Sequence, residues 1–250
     1  MKSEQLSPDT PWTFPLLPFQ TPQYAFLTGS DVAKPATVLQ LSATIDWVAE
    51  AFFLHPSDVN FGSAYWAMAH QIDVLSATAS HTSYLSGFRD AHSAIEPAWA
   101  RETVKVALIL TEVAEAIEAL NGLSPNHADE ALAEGADVAI RILDWADGHC
   151  PDFGEIVVET MTKARSVKWY GSTPTQRCWS AITCCSMNLG LYIDGLRKGE
   201  RRFPLMAEAF AAACALARGE NIPEGEYSTT ILDKMVANTR RPKLHGNRLF

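Results

Sequence analysis

Apolar residues recur three and four positions apart along most of this chain, and almost nowhere do they alternate with polar ones. That is the period of an α-helix, in which side chains three and four apart share a face. Two such stretches lie at 37–54 (TVLQLSATIDWVAEAFFL) and 63–79, with HPSD between them as a break. Residues 80–95 have no clear pattern. The period resumes at Glu96, with Pro97 suited to a first turn, and continues to Leu120, where NGLSPN supplies an Asn-Gly stop and a proline turn. A second helix is expected from His127 to Ala146, ending at Asp147-Gly148. The segment DFGE has the form of a capping box, with Asp152 as N-cap and Glu155 three residues on, opening a helix to about Val167. After YGSTPT come helices near 177–198 and 204–218, and a last one over 229–241 is stopped by Pro242.

With no alternating segment, the pattern predicts an all-α fold, an antiparallel helix bundle whose short connections make antiparallel neighbours. Residues 1–38, rich in proline, threonine and aromatics without a period, read as an extended or poorly ordered arm. Residues 39–250 read as a single helical domain.

Composition fits this picture: 250 residues, 47% hydrophobic and 20% charged, make a chain that buries a large core. A net charge of −9 without a lysine- or arginine-rich block argues against a nucleic-acid polymer as partner. No stretch resembles a signal peptide or reaches the length of a membrane-spanning helix, so a cytoplasmic protein with no membrane partner is expected. The five cysteines include no C-x-x-C pair, and Cys184 and Cys185 are adjacent, which predicts buried thiols rather than a zinc site.

Against this apolar background the carboxylates stand out. Glu112 and Glu115 are three apart in TEVAEAIEAL, and Glu134 and Asp137 are three apart in EGADVAIRIL, so each pair projects from one helical face. Arg141 and Asp144 extend the second pair into a polar stripe. If the two helices pack antiparallel, four carboxylates converge in the interior. Unpaired, each would carry a desolvation cost of several kcal/mol unless it is protonated or neutralised by a cation. Hard carboxylate oxygens suit Mg²⁺ or Mn²⁺, and bundles build such sites from facing helices. The simpler alternative is a pair of solvated amphipathic faces with Arg141 and Lys105 as partners. A di-iron centre would need Glu-x-x-His motifs, and neither helix has one. On the last helix Lys234, Asn238 and Arg241 stand at i, i+4 and i+7, with Lys243, His245 and Arg248 beyond, a row suited to gripping phosphates or merely to complementing the helix dipole.

Taken in order, TEVAEAIEAL, EGADVAIRIL and KMVANTRRPKLHG resemble the motifs of the MazG-like all-α nucleoside triphosphate pyrophosphohydrolases. In that family E-x-x-E and E-x-x-D hold Mg²⁺, and a K-x-x-x-N-x-x-R-P signature precedes an HG pair. The resemblance covers about 96–168 and 228–250 and makes 169–227 a helical insertion that could serve as a cap, an interface or extra packing. It implies Glu112, Glu115, Glu134 and Asp137 as metal ligands, with Glu112 and Glu115 also catalytic. Lys234, Asn238 and Arg241 would hold the substrate. It further implies a magnesium-dependent hydrolase, with manganese as a substitute, that splits a nucleoside triphosphate into monophosphate and pyrophosphate in nucleotide-pool control, as a homodimer or homotetramer. Many members carry another acid where this chain has Thr111, and an aromatic where it has Ala237. The identity of the general base and the preferred base and sugar therefore stay open, with Trp66, Tyr84, Phe88, Trp99, Trp145 and Trp169 as stacking candidates. A non-catalytic nucleotide-binding or scaffold protein retaining the fold is the alternative.

Overall fold

Residues 38–55, 58–59, 62–85, 98–122, 127–163, 173–219 and 228–239 are described by the computed structural model. They form eight α-helices: α1 (Val38–Phe53), α2 (Tyr65–Leu85), α3 (Ala98–Leu120), α4 (His127–His149), α5 (Phe153–Thr162), α6 (Pro174–Arg197), α7 (Phe203–Arg218) and α8 (Thr230–Thr239). A 3-10 turn at Gly62–Ala64 leads into α2, and no strand occurs among the described residues. The all-α expectation is met. Residues 1–37 of the expected arm, Pro97, Phe88, Trp169, Arg241, Lys243, His245 and Arg248 lie outside the described residues, and Val38, the last residue of that arm, begins α1.

Two helices organise the rest. α4 packs against α2, α3, α7 and α8, and α7 packs against α1, α4, α5 and α6. α3 and α4 run antiparallel: Glu112 meets Arg141, and Lys105, two turns earlier on α3, meets Asp144 further along α4. α7 belongs to the segment that reads as inserted, yet every residue from Ala209 to Cys214 on it is buried. Its alanines let four helices approach one axis closely, so this part of the segment serves packing. Around the far end of α4, Trp145 meets Tyr192 and Phe153 edge-on at centroid distances of 5.3 and 6.1 Å and stacks on His149 at 5.6 Å. Burying each large apolar side chain there contributes roughly 1.5–3 kcal/mol.

Glycine fixes two of these approaches. A Cβ on Gly135 of α4 would stand 2.8 Å from Leu216 Cγ and 2.9 Å from the Ala217 nitrogen, so its absence lets α4 press onto α7. A Cβ on Gly154 of α5 would stand 1.9 Å from the carbonyl oxygen of Ala69 on α2.

Several helix ends differ from the sequence reading: α2 runs on to Leu85 and α5 ends at Thr162 rather than near Val167. α4 passes through Gly148 to His149, because packing of Trp145, Ala146 and Cys150 in the core outweighs the roughly 1 kcal/mol helix penalty of one glycine. Asp152 makes no side-chain cap, so DFGE is not a capping box. The Gly154 N–H of that first turn instead donates to Asp73 Oδ1 on α2 at 2.8 Å. The capping box lies at α6, where Thr173 Oγ1 accepts the Gln176 N–H and Gln176 Oε1 accepts the Thr173 N–H, both at 3.3 Å. No described helix is long and apolar enough to cross a membrane. None of the five cysteines forms a disulfide, and Cys150, Cys184, Cys185 and Cys214 are buried.

Candidate metal centre

Because α3 and α4 are antiparallel and tightly packed, the polar stripe of α4 is held against the acidic face of α3. One carboxylate oxygen from each of Glu112, Glu134 and Asp137 lies within 4.8 Å of the other two. Glu112 is buried, between Ile109, Val113 and Ala116 of its own helix, while Glu134 and Asp137 are half-buried. Gly135 sits between the two α4 acids in sequence, where α4 lies close against Leu216 and Ala217 of α7. Glu115 is one turn beyond Glu112 but exposed. It stands outside the trio, near enough for its charge to push the Glu112 and Glu134 carboxyls up. Three of the four expected acids are thus brought together, with the fourth at the rim.

Two of the three are neutralised by the protein. Arg141 Nε donates to Glu112 Oε1 at 2.5 Å, and Lys234 Nζ of α8 lies 2.6 Å from Asp137 Oδ2 while donating to the Ala133 carbonyl at 2.7 Å. Arg141 therefore serves as the expected partner of the first pair, but Lys105 does not, since it pairs with Asp144 at 3.3 Å. Glu134 has no salt bridge among the described residues, and its Oε2 is buried without a hydrogen-bond partner. Burial pushes the Glu134 carboxyl up to about 7; the Lys234 ammonium pulls against this, and Asp137, Glu112 and Glu115 add to it. The Glu112 carboxyl is also raised, chiefly by burial, with Arg141 opposing.

The donor set fits a hard cation. All three side chains offer oxygen, and neither sulfur nor imidazole belongs to the group. Two ligands of one ion stand at most about twice a metal–oxygen bond of roughly 2.1–2.4 Å apart, and the 4.8 Å bound on the three oxygens falls at the upper end of that reach. The orphaned Glu134 oxygen is the strongest local sign, because a buried acceptor without a donor is costly and a divalent ion would satisfy it.

α8 reaches this centre because its entry is anchored elsewhere. Asp46 of α1, buried, accepts the Ser228 backbone N–H at 2.7 Å, and Ile231, Leu232 and Met235 are buried on the same short helix. Asn238, one turn beyond Lys234, is half-buried. Asp46 was not legible as a positioning residue; its only sequence signal is an aspartate inside the apolar run IDWVAEAFF. Of the stacking candidates, Trp145 is fully buried in the core, whereas Trp66, Tyr84 and Trp99 are exposed. No protein-family model, curated protein or solved structure matches the chain, so the site is read from its own geometry.

Proposed function

We propose that this chain is a magnesium-dependent nucleoside triphosphate pyrophosphohydrolase, with manganese as a substitute ion, releasing a nucleoside monophosphate and pyrophosphate. The observation that carries the reading is the convergence of Glu112, Glu134 and Asp137, together with a buried Glu134 oxygen that has no hydrogen-bond partner. Its order in sequence with Lys234, Asn238 and Arg241 supports it further.

In this reading Glu112, Glu134 and Asp137 hold the ion, which when bound supplies Lewis acidity toward the triphosphate oxygens. The chain's own residues do the rest. Glu115, exposed at the rim, accepts the proton of the attacking water as its oxygen bonds the α phosphorus, and the α–β bridging P–O bond breaks. Lys234 and Arg241 take up the charge of the departing pyrophosphate, and Asn238 hydrogen-bonds the nucleotide. The working unit is a cytoplasmic homodimer or homotetramer acting on the nucleotide pool.

A second reading, a nucleotide-binding or scaffold protein without turnover, draws on Arg141 and Lys234, which already balance two of the acids without any metal. Pyrophosphate release from a panel of ribo- and deoxynucleoside triphosphates with Mg²⁺ separates the two. Turnover lost in Glu134→Gln and Asp137→Asn supports the hydrolase. Turnover that survives both changes would remove the site assignment, and none with any nucleotide, with Mn²⁺ still bound, would favour the scaffold.

A further inference from the structure

The ammonium of Lys234 sits 2.6 Å from Asp137 Oδ2, on one of the three carboxylates that form the metal centre. A lysine side chain fixed there competes with a divalent ion for the same carboxylate. Its other hydrogen bond, to the Ala133 carbonyl at 2.7 Å, is to neutral backbone, so the pairing with Asp137 is the only contact with a carboxylate that displacement must break among the described residues. The helix that carries it is held independently. Ile231, Leu232 and Met235 are buried, and the Ser228 N–H is bonded to Asp46, so leaving Asp137 requires only rotation about the side-chain bonds of Lys234. Arg141 is placed differently: it pairs with Glu112 from the same α4 face as the acids themselves.

From this arrangement, and resting on the metal-centre reading above, we infer that Lys234 is a placeholder cation. It neutralises Asp137 in the metal-free chain, is displaced when a divalent ion loads, and only then becomes available to a polyphosphate. Metal and phosphate therefore bind in order, and the metal exposes one of the groups that grips the phosphate. Linkage makes the relation reciprocal: whatever keeps Lys234 on Asp137 weakens metal binding, and metal binding frees Lys234 by the same factor.

The test uses the full chain and Mn²⁺ alone. Calorimetry should show Lys234→Gln binding Mn²⁺ at least about fivefold more tightly than the parent, since couplings between sites are typically 5–150-fold. Lys234→Arg, which keeps the charge, should remain near the parent. In parallel, amine acylation followed by mass spectrometry should find Lys234 several-fold more reactive once Mn²⁺ is present. Lys105 is the internal control: it is about as covered, at 13% side-chain exposure against 16% for Lys234, and pairs with Asp144 outside the trio. Its reactivity should not move. Equal or weaker Mn²⁺ binding by Lys234→Gln, or an unchanged Lys234 reactivity, overturns the placeholder role while leaving the metal centre standing. Absence of Mn²⁺ binding in every variant overturns both.

Discussion

Asp46 Oδ2 accepts the backbone N–H of Ser228 at 2.7 Å across 182 positions of chain, so α1 fixes where the last helix begins. Arg218 stands beside the same carboxylate, with its Nε 3.5 Å from Asp46 Oδ1, and reaches Glu50 at 2.9 Å. Burial dominates over these partners and pushes the Asp46 carboxyl from 3.8 up to about 6.

A pH dependence follows. Because the folded state holds this proton more tightly than the unfolded chain, the contribution is fully present below about pH 4. It is lost as pH rises through about 6. At 1.36 kcal/mol per unit, the loss is on the order of 3 kcal/mol. Asp46→Asn keeps an acceptor for Ser228 and removes the titration. Urea unfolding at pH 4 and pH 7 should show the parent losing about that much more stability than the variant on going to pH 7. Parallel profiles would show that Asp46 does not titrate in this range.

The two glycine approaches predict unequal costs. At Gly154 the obstacle to a Cβ is a backbone carbonyl 1.9 Å away, which cannot yield without shifting α5 from α2. At Gly135 the nearest atom belongs to the Leu216 side chain, with backbone close behind. Overpacking typically costs 1–3 kcal/mol, so Gly154→Ala should fall at or above the top of that range and Gly135→Ala within it. Thermal unfolding of the two variants checks the order. Gly135→Ala should also weaken Mn²⁺ binding, because moving α4 off α7 turns Glu134 and Asp137 from their places.

A second buried acid tests how the bundle tolerates charge away from the metal centre. Glu102 on α3 has no exposed surface, yet Tyr192 Oη donates to its Oε1 at 2.7 Å and Arg201 Nη2 to its Oε2 at 2.9 Å. Tyr192→Phe leaves one carboxylate oxygen without that donor. The expected loss is about 1–3 kcal/mol, read from the urea midpoint, with the denaturant slope unchanged. No loss would mean that the hydroxyl is replaceable by solvent.

Much of the fold was legible because helices carry their period locally. The ends of α1, α3 and α7 fall within a few residues of the reading, and the E-x-x-D spacing alone puts Glu134 and Asp137 on one face. What escaped depends on partners distant in sequence. DFGE looked like a cap, but the acceptor for Gly154 comes from Asp73, 81 residues away. The tail of α2, from residue 80 on, shows no clear period because its buried residues there are Ser80 and Thr82. Thr78 and Thr82 donate to carbonyls four residues back, which lets hydroxyls sit inside a helical interface without an apolar stripe. Glu115 has the same spacing signal as its neighbour, and only the rotation of α3 against α4 decides that Glu112 faces inward while Glu115 lies at the rim.

That rotation ranks the acids for metal binding. Glu134 and Asp137 contribute oxygens to the group within 4.8 Å, and the Glu134 oxygen left without a partner gains most from an ion. Glu115 remains exposed and hydrated, so its part in holding the ion is weaker and runs through charge or water. Calorimetric titration with Mn²⁺ near pH 7.5 should therefore show losses of at least about tenfold for Glu134→Gln and Asp137→Asn, a scale that even supporting residues of metal sites reach. Glu115→Gln should lose less. Because ion binding favours the folded chain, Mn²⁺ at one fixed concentration should raise the melting temperature of the parent more than that of Glu134→Gln. If Glu115→Gln instead proved the most damaging change, the helix would have to turn its rim acid inward on loading, and Glu112 would give way to it as the α3 ligand.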